Sequence, residues 1–511
     1  MRWISAFLPV FLWGQTFFGN FSSGFISRTG RRDQKPASAF QVHFTGGLNF
    51  HGISAGINLY INSEDKFTPQ ATSFYSLTPT WSWGRVYIGN FSPSFSPLTL
   101  SGTNLLGGGV ELFPGIFRLF IVSGRIKKAS TDSSGLSYER FLWGVRIGLG
   151  RLTGTRITLI NSKDIMSSAS DSVMRAHGIY PQENWVVEVS QKVSLFRGRF
   201  RISGLAAVTL LTRDITAGSV EIGKIPSWVK KNFRINSSTS VDYAYRVETS
   251  LNLRGFSISY IHGYAGPGYQ SHGVSGNVSD RKEHQVRTSV SPSNYLHIGG
   301  SYCLSRDNIV NTRNGTSSTR NGNVYLSFMV SRHATVYISS SVNQLDKAGE
   351  TDTLNLENNT VSFNSGINLR LARKVSLNMN GGVAKIRTHT LLKDLNARST
   401  SVSVSLLHRL SRGFSYSVGY SMTDSRTDTL TGKVHSPSVG LKFDLFRRLN
   451  LSLSARAGIS ETKKVWNFGV YGGLKITRND LISLKMTSSV KEGENSFEFR
   501  AFYNRNFRVG R

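Results

Sequence analysis

The sequence predicts an all-β fold: a single large antiparallel up-and-down transmembrane β-barrel of about 24–26 strands. Three observations carry this. Apolar and polar residues alternate along stretch after stretch of the chain. The stretches are joined in pairs by turns of roughly two to five residues, and longer hydrophilic segments separate the pairs, about every 40 residues in the last third. No run of about 18 apolar residues follows the N-terminus, so helical spans are excluded, whereas half-apolar strands escape that test.

Residues 438–457 show the pattern. Val439, Leu441, Phe443 and Leu445 share one parity and Lys442 and Asp444 the other; beyond a turn at Phe446, Arg447 and Arg448, Leu449, Leu451, Leu453, Ala455 and Ala457 alternate with Asn450, Ser452, Ser454 and Arg456. A period of 2 puts each set on one face of a strand. One face suits lipid and the other carries charge.

In chain order, short turns fall at 49–50, 83–84, 114–115, 150–153, 196–199, 254–255, 292–294, 332–333, 372–374, 411–413, 447–448 and 477–479. Gly, Pro and Asn recur in them, as tight turns require. Between them lie hydrophilic segments at 62–71, 127–137, 161–182, 213–237, 265–282, 307–320, 346–357, 388–395, 424–431 and 460–464. Outer-membrane barrels keep short turns in the periplasm and long loops outside, which assigns the sides. Twelve hairpins and a last strand over 496–507 require one more ascending strand before Ala39, and 17–27 is the candidate. Trp143, Trp185, Tyr243 and Trp466 sit toward strand ends, where aromatic girdles mark the membrane interfaces.

Met1 and Arg2, followed by the apolar run from Trp3 to Trp13, read as a secretory signal peptide within residues 1–24, cleaved near 14 or near 24. The barrel then occupies 25–511, with an inward loop around 89–109. That loop breaks the pattern: Phe91, Phe95, Leu98 and Leu100 alternate with Pro93 and Pro97 ahead of Gly102, too rich in proline for a strand and too apolar for an exposed loop. Folding it into the lumen as a constriction stabilises it, since each such side chain is worth about 1.5–3 kcal/mol when buried. The alternative is a lid at the barrel end.

Charge and chemistry narrow the function. Lys and Arg number 61 against 30 Asp and Glu, a net charge of +31, but the basic residues are dispersed along polar strand faces and turns. Nucleic-acid binding would cluster them on one face, so no nucleic-acid partner is expected. Arg246, Arg370, Arg456, Lys475 and Lys485 are the lumen-facing candidates. The one cysteine, Cys303, excludes an internal disulfide, and no metal or cofactor site can be assembled around it. Gly52, Ser54 and Gly56 match the spacing of a nucleophile elbow, yet lie in an alternating strand rather than a strand-to-helix turn, so no catalytic residue is assigned and the chain is not expected to be an enzyme.

With these residues in place the chain resembles the bacterial outer-membrane β-barrel class, large and porin- or transporter-like. Such barrels usually end on a strand closing with an aromatic residue. Here Phe497, Phe499, Ala501, Tyr503 and Phe507 keep one parity, followed by Arg508 to Arg511. The strand number is similar to that of the lipopolysaccharide-export barrel without its periplasmic domain, and the plug domain of a TonB-dependent receptor has no counterpart. The resemblance implies an outer-membrane location in Gram-negative bacteria and contact with outer-membrane lipid. The function expected is a channel passing solutes, anion-preferring because of the inward basic residues. The alternatives are the membrane barrel of a secretion or surface-export complex, with a protein partner filling the lumen, and a secreted all-β adhesin.

Overall fold

The computed structural model describes Thr16 to Val509 apart from residues 30–37, 64–72, 131–134, 151–152, 219–234, 277–278, 312–313, 350–354, 391–393, 429–430, 446–447, 461–463, 478 and 492–493. Twenty-six strands form one antiparallel sheet in which each pairs with its neighbours in sequence. The strand Thr16–Thr29 closes it by pairing on one side with Ser38–Phe50 and on the other with Glu494–Val509. The seam is as regular as the rest: its register runs from Phe17 opposite Val509 to Thr29 opposite Phe497. Closure leaves no sheet edge unpaired, which a lipid environment demands of strands.

The wall sorts its side chains as the alternation predicts. Val361, Phe363, Ile367 and Leu371 in one strand, and Val439 and Leu449 in others, are exposed apolar residues on a single parity. Across the seam, Phe507 stacks with Phe44 at 6.0 Å and meets Phe17 at 5.2 Å on this outer face. Trp143 meets Trp185 edge-on at 5.4 Å, and Tyr243 lies 5.4 Å from Tyr264, near the strand ends remote from the short turns. The expected girdle is therefore present at the long-loop end. Among the described residues no helix is long and apolar enough to cross a membrane. The wall crosses it with strands.

The extra first strand is found, and it begins inside the segment 1–24 that the sequence assigned to the signal; residues 1–15 lie outside the described residues. The turn residues Phe446 and Arg447 and the loop positions 64–71 also lie outside them. The last strand is longer than expected, Glu494–Val509 instead of 496–507.

Several segments expected as long loops are strand. Asp307 to Arg320 shrinks because the strands end at Asp307 and resume at Gly315. Strands reach Gly349, Thr390 and Thr427 and resume at Leu356, Asp394 and Thr431. A membrane needs only about 9–11 residues per strand, whereas Gly315–Ser331 and Leu356–Ala372 have 17 each. The surplus projects beyond the lipid, where hairpin hydrogen bonds persist but no apolar face is needed. Polar sequence there reads as loop while the backbone stays paired. Similarly, 161–182 begins as strand to Ile165 and later forms a short helix, Asp171–Ala176.

Candidate functional site: a half-filled lumen

The chain between the strands Gly84–Phe91 and Leu105–Leu112 leaves the wall and packs against its inner face. Phe91 ends the first of these strands and is only partly buried, whereas Phe95, Leu98 and Leu100 are buried in the main apolar cluster. Their neighbours are Leu105, Phe120, Val122, Leu142, Ile160, Val186, Ala207 and Ala244. These wall residues occupy the parity opposite the exposed Ile121, Phe141, Ile147, Ile157, Val187, Val208 and Tyr243. The loop therefore sits inside the barrel.

Local hydrogen bonds give it shape. The Phe95 amide donates to the Leu100 carbonyl at 2.8 Å, and the Leu98 and Thr99 amides donate to Ser96 Oγ at 3.1 and 3.2 Å. Ser96 Oγ in turn donates to the carboxylate of Glu188, a wholly buried residue of the strand Glu183–Leu195. Arg146 faces the same carboxylate at 3.5 Å, donates to Thr158 Oγ1 at 3.1 Å and lies 4.9 Å over the ring of Phe95. A buried charge is tolerated only when paired and hydrogen-bonded. Serine, arginine and carboxylate together tie the loop to the wall.

A second loop joins it, and the sequence placed that loop outside. Residues 266–276 turn inward after the strand Phe256–Ala265. Gly273 and Val274 form a two-residue parallel bridge with Leu100 and Ser101. Tyr269, fully buried, donates from its hydroxyl to the Leu98 carbonyl at 2.7 Å, and Ser271 Oγ donates to the Thr99 carbonyl at 2.5 Å. The wall holds this loop too. Asn184 Nδ2 and Thr209 Oγ1 donate to the Gln270 carbonyl at 3.0 and 2.7 Å, and the Gly268 amide donates to Asp242 Oδ2 at 2.6 Å. His272 shares a 2.8 Å hydrogen bond with Ser162; burial first, then the neighbouring Arg140 and Lys127, hold its imidazole well below the ordinary histidine range. The pKa of the Tyr269 hydroxyl is pushed up, chiefly by burial.

The two loops cover the inner wall only from Gly84–Phe91 round to Phe256–Ala265. Over the remaining arc these loops do not cover the inner parity, although Ile26, Ala39, Ser436, Ser483 and Glu498 on it are buried. Arg370, Arg456, Lys475 and Lys485 all lie there, on the face opposite the apolar belt, and are exposed without an acidic partner among the described residues. Arg246, on the strand Thr239–Leu253, lies within the covered arc and is half-buried. These five are spread round the wall and do not meet: Arg456 pairs across strands with Ser438 and Asn467, and Lys485 with Tyr471 and Arg500. Two acidic residues of this inner face are engaged with bases, Asp444 with Lys442 at 3.6 Å and Glu498 with Arg500 at 2.6 Å and Arg28 at 3.1 Å. Ser54, of the elbow-like spacing, lies on a strand that follows a tight turn with Gly52 at φ 82°, so no strand-to-helix corner presents it.

No family model and no curated protein matches the sequence. Among solved structures, the P pilus usher (PapC) translocation pore aligns over 96% of this chain and 99% of its own, at 12% identity and a TM-score of 0.38. OccAB4 of Acinetobacter baumannii aligns over 98% and 100%, at 7% identity and a TM-score of 0.33. The copper transporter OprC aligns over 96% and 80%, at 8% identity and a TM-score of 0.45. The closed 26-stranded wall, its continuous apolar outer face and its division into a short-turn end and a long-loop end make the chain a bacterial outer-membrane β-barrel protein.

Proposed function

We propose that the barrel is a channel that passes solutes along its uncovered arc and prefers anions, with the two inward loops narrowing the lumen. The observation that carries this reading is the inner-face exposure of Arg370, Arg456, Lys475 and Lys485, unneutralised in a wall otherwise lined by residues such as Ser403, Ser417, Ser454 and Asn467. A barrel of this strand number leaves an aqueous lumen unless something fills it. The loops fill one side and the hydroxyl- and amide-rich side stays open. Fixed positive charge at low-dielectric walls raises the local concentration of anions and lowers their entry barrier.

The test is flux into vesicles. Purified barrel reconstituted in liposomes should admit a labelled organic anion several-fold faster than a cation of equal size. Equal rates, or a faster cation, would remove the anion preference, and impermeability to both would favour a scaffold whose lumen belongs to a partner.

A further inference from the structure

Below the inward loop, toward the short-turn end, the inner wall carries a second feature. Arg85, Arg118, Arg146 and Arg156 line one pocket of about 360 Å³ together with Tyr87, Glu111 and Phe120, roofed by Ser92 and Ser94 of the loop. Their charges are not equally balanced. Arg85 pairs with Glu111 at 2.8 Å, and Arg146 faces Glu188. Arg118 donates only to the Phe113 carbonyl, at 2.7 Å, and Arg156 has no hydrogen-bond or ion-pair partner among the described residues.

The backbone brings the last two together. Gly148 stands between Arg118 and Arg156 on one rung of the sheet, paired with each. A Cβ built on Gly148 would lie 2.8 Å from Arg156 Cγ, so the Arg156 stem leans over the glycine, and 3.6 Å from Arg118 Cβ, an ordinary contact across the rung. Three guanidiniums, with Arg146 two residues along the same strand, thus share one wall of a pocket that holds a single facing carboxylate, Glu111. Guanidinium forks match the paired oxygens of phosphate and carboxylate groups.

We infer that Arg118, Arg146 and Arg156, grouped about Gly148, bind a small oxyanion, a phosphate or carboxylate group carried on a body that fits 360 Å³. The inference rests on the channel reading for the ligand's route of entry and names the class of solute that dwells there. Tyr87 and Phe120, 5.6 Å apart, supply an apolar flank for the rest of the solute. The inward loop closes the pocket from above.

Equilibrium binding separates this site from conduction. Detergent-solubilised full-length barrel is titrated calorimetrically with inorganic phosphate and, separately, malonate, at constant ionic strength in chloride. Saturable binding of one or both is expected, and the better ligand identifies the oxyanion. R156A should weaken it about ten-fold or more, the scale of losing a charge-assisted hydrogen bond, with R156K intermediate. G148L, which fills the gap while keeping every arginine, should weaken it too. R332Q, at a distant turn, should not. Each variant is first checked for the heat-modifiable gel shift of a folded barrel. No saturable binding of either anion, or unchanged affinity in both R156A and G148L, overturns the site even if vesicle flux is anion-preferring. Binding that persists in a barrel lacking flux leaves the site standing and removes the channel.

Discussion

Gly273 lies directly against Leu100: a side-chain carbon on the glycine would stand 2.5 Å from the Thr99 carbonyl oxygen and 3.0 Å from Leu100 Cδ1. The two inward loops meet there, and only a residue without a Cβ lets their backbones pair. Gly273→Val should therefore separate them while leaving the wall intact. Thermolysin, which cuts beside large apolar residues, should then cleave within 92–104 in the folded barrel. Resistance equal to that of the unmodified protein would show that the loops do not depend on this contact.

The outer face has a direct energetic test. Leu451 lies on the apolar parity, paired across strands with Phe443, and Ser452 on the inner one, paired with Lys442. Leu451→Arg should cost about 2–4 kcal/mol at mid-membrane, whereas Ser452→Arg should be mild. Refolding into vesicles under urea compares the two. Equal tolerance would contradict the assignment of faces in this hairpin.

Sidedness follows from the ends of the strands. In a Cys303→Ser background, Gly315→Cys at the long-loop end should react with an impermeant maleimide on intact cells, and Arg448→Cys at a short turn should not. The reverse result would invert the barrel.

Acid should loosen the second loop. His272 is held well below its ordinary value by burial and by Arg140 and Lys127, and Asp164 adjoins them as the partner of Arg140 at 2.6 Å. Packed, the imidazole stays neutral; released, it titrates near 6.5. The packed loop is thus favoured above that pH and loses ground as pH falls below it, because only the released state takes up the proton. Conductance should rise between pH 7.5 and 5, and His272→Asn should flatten the change. A pH response that survives His272→Asn assigns it elsewhere, to the carboxylates.

The strand count, the closing strand and the lipid face were legible in the sequence because each rests on a period of 2 that a one-residue slip would destroy. The inward loop expected around 89–109 is narrower, since 89–91 and 105–109 belong to wall strands; the signal within it was Phe95, Leu98 and Leu100, too apolar to leave in water. Its partner at 266–276 was not legible. Gly266, Pro267, Gly268, Gln270 and Ser271 have the composition of any exposed loop, and only Tyr269 among them demands burial. The signal lay instead in the wall. Val122, Leu142, Ile160, Val186 and Leu211 are apolar on the parity that faces inward, while Ser401, Ser403, Ser405 and Ser417 hold that parity further along the chain. Apolar residues on an inner face mean that something covers it. Glu188 shows the same in reverse, a carboxylate between Val187 and Val189 whose partners come from Ser96 and Arg146.

The most direct measurement is the reversal potential of single channels in a planar bilayer under a KCl gradient, for the native barrel, for one with Arg370, Arg456, Lys475 and Lys485 replaced by Gln, and for one lacking 92–101. The native barrel should select anions, more strongly at low salt where screening is weak; the Gln variant should lose most of that selectivity, and the deletion should raise conductance. Cation selectivity in the native barrel, or silence in all three, would contradict an open, positively lined arc beside a loop-filled one.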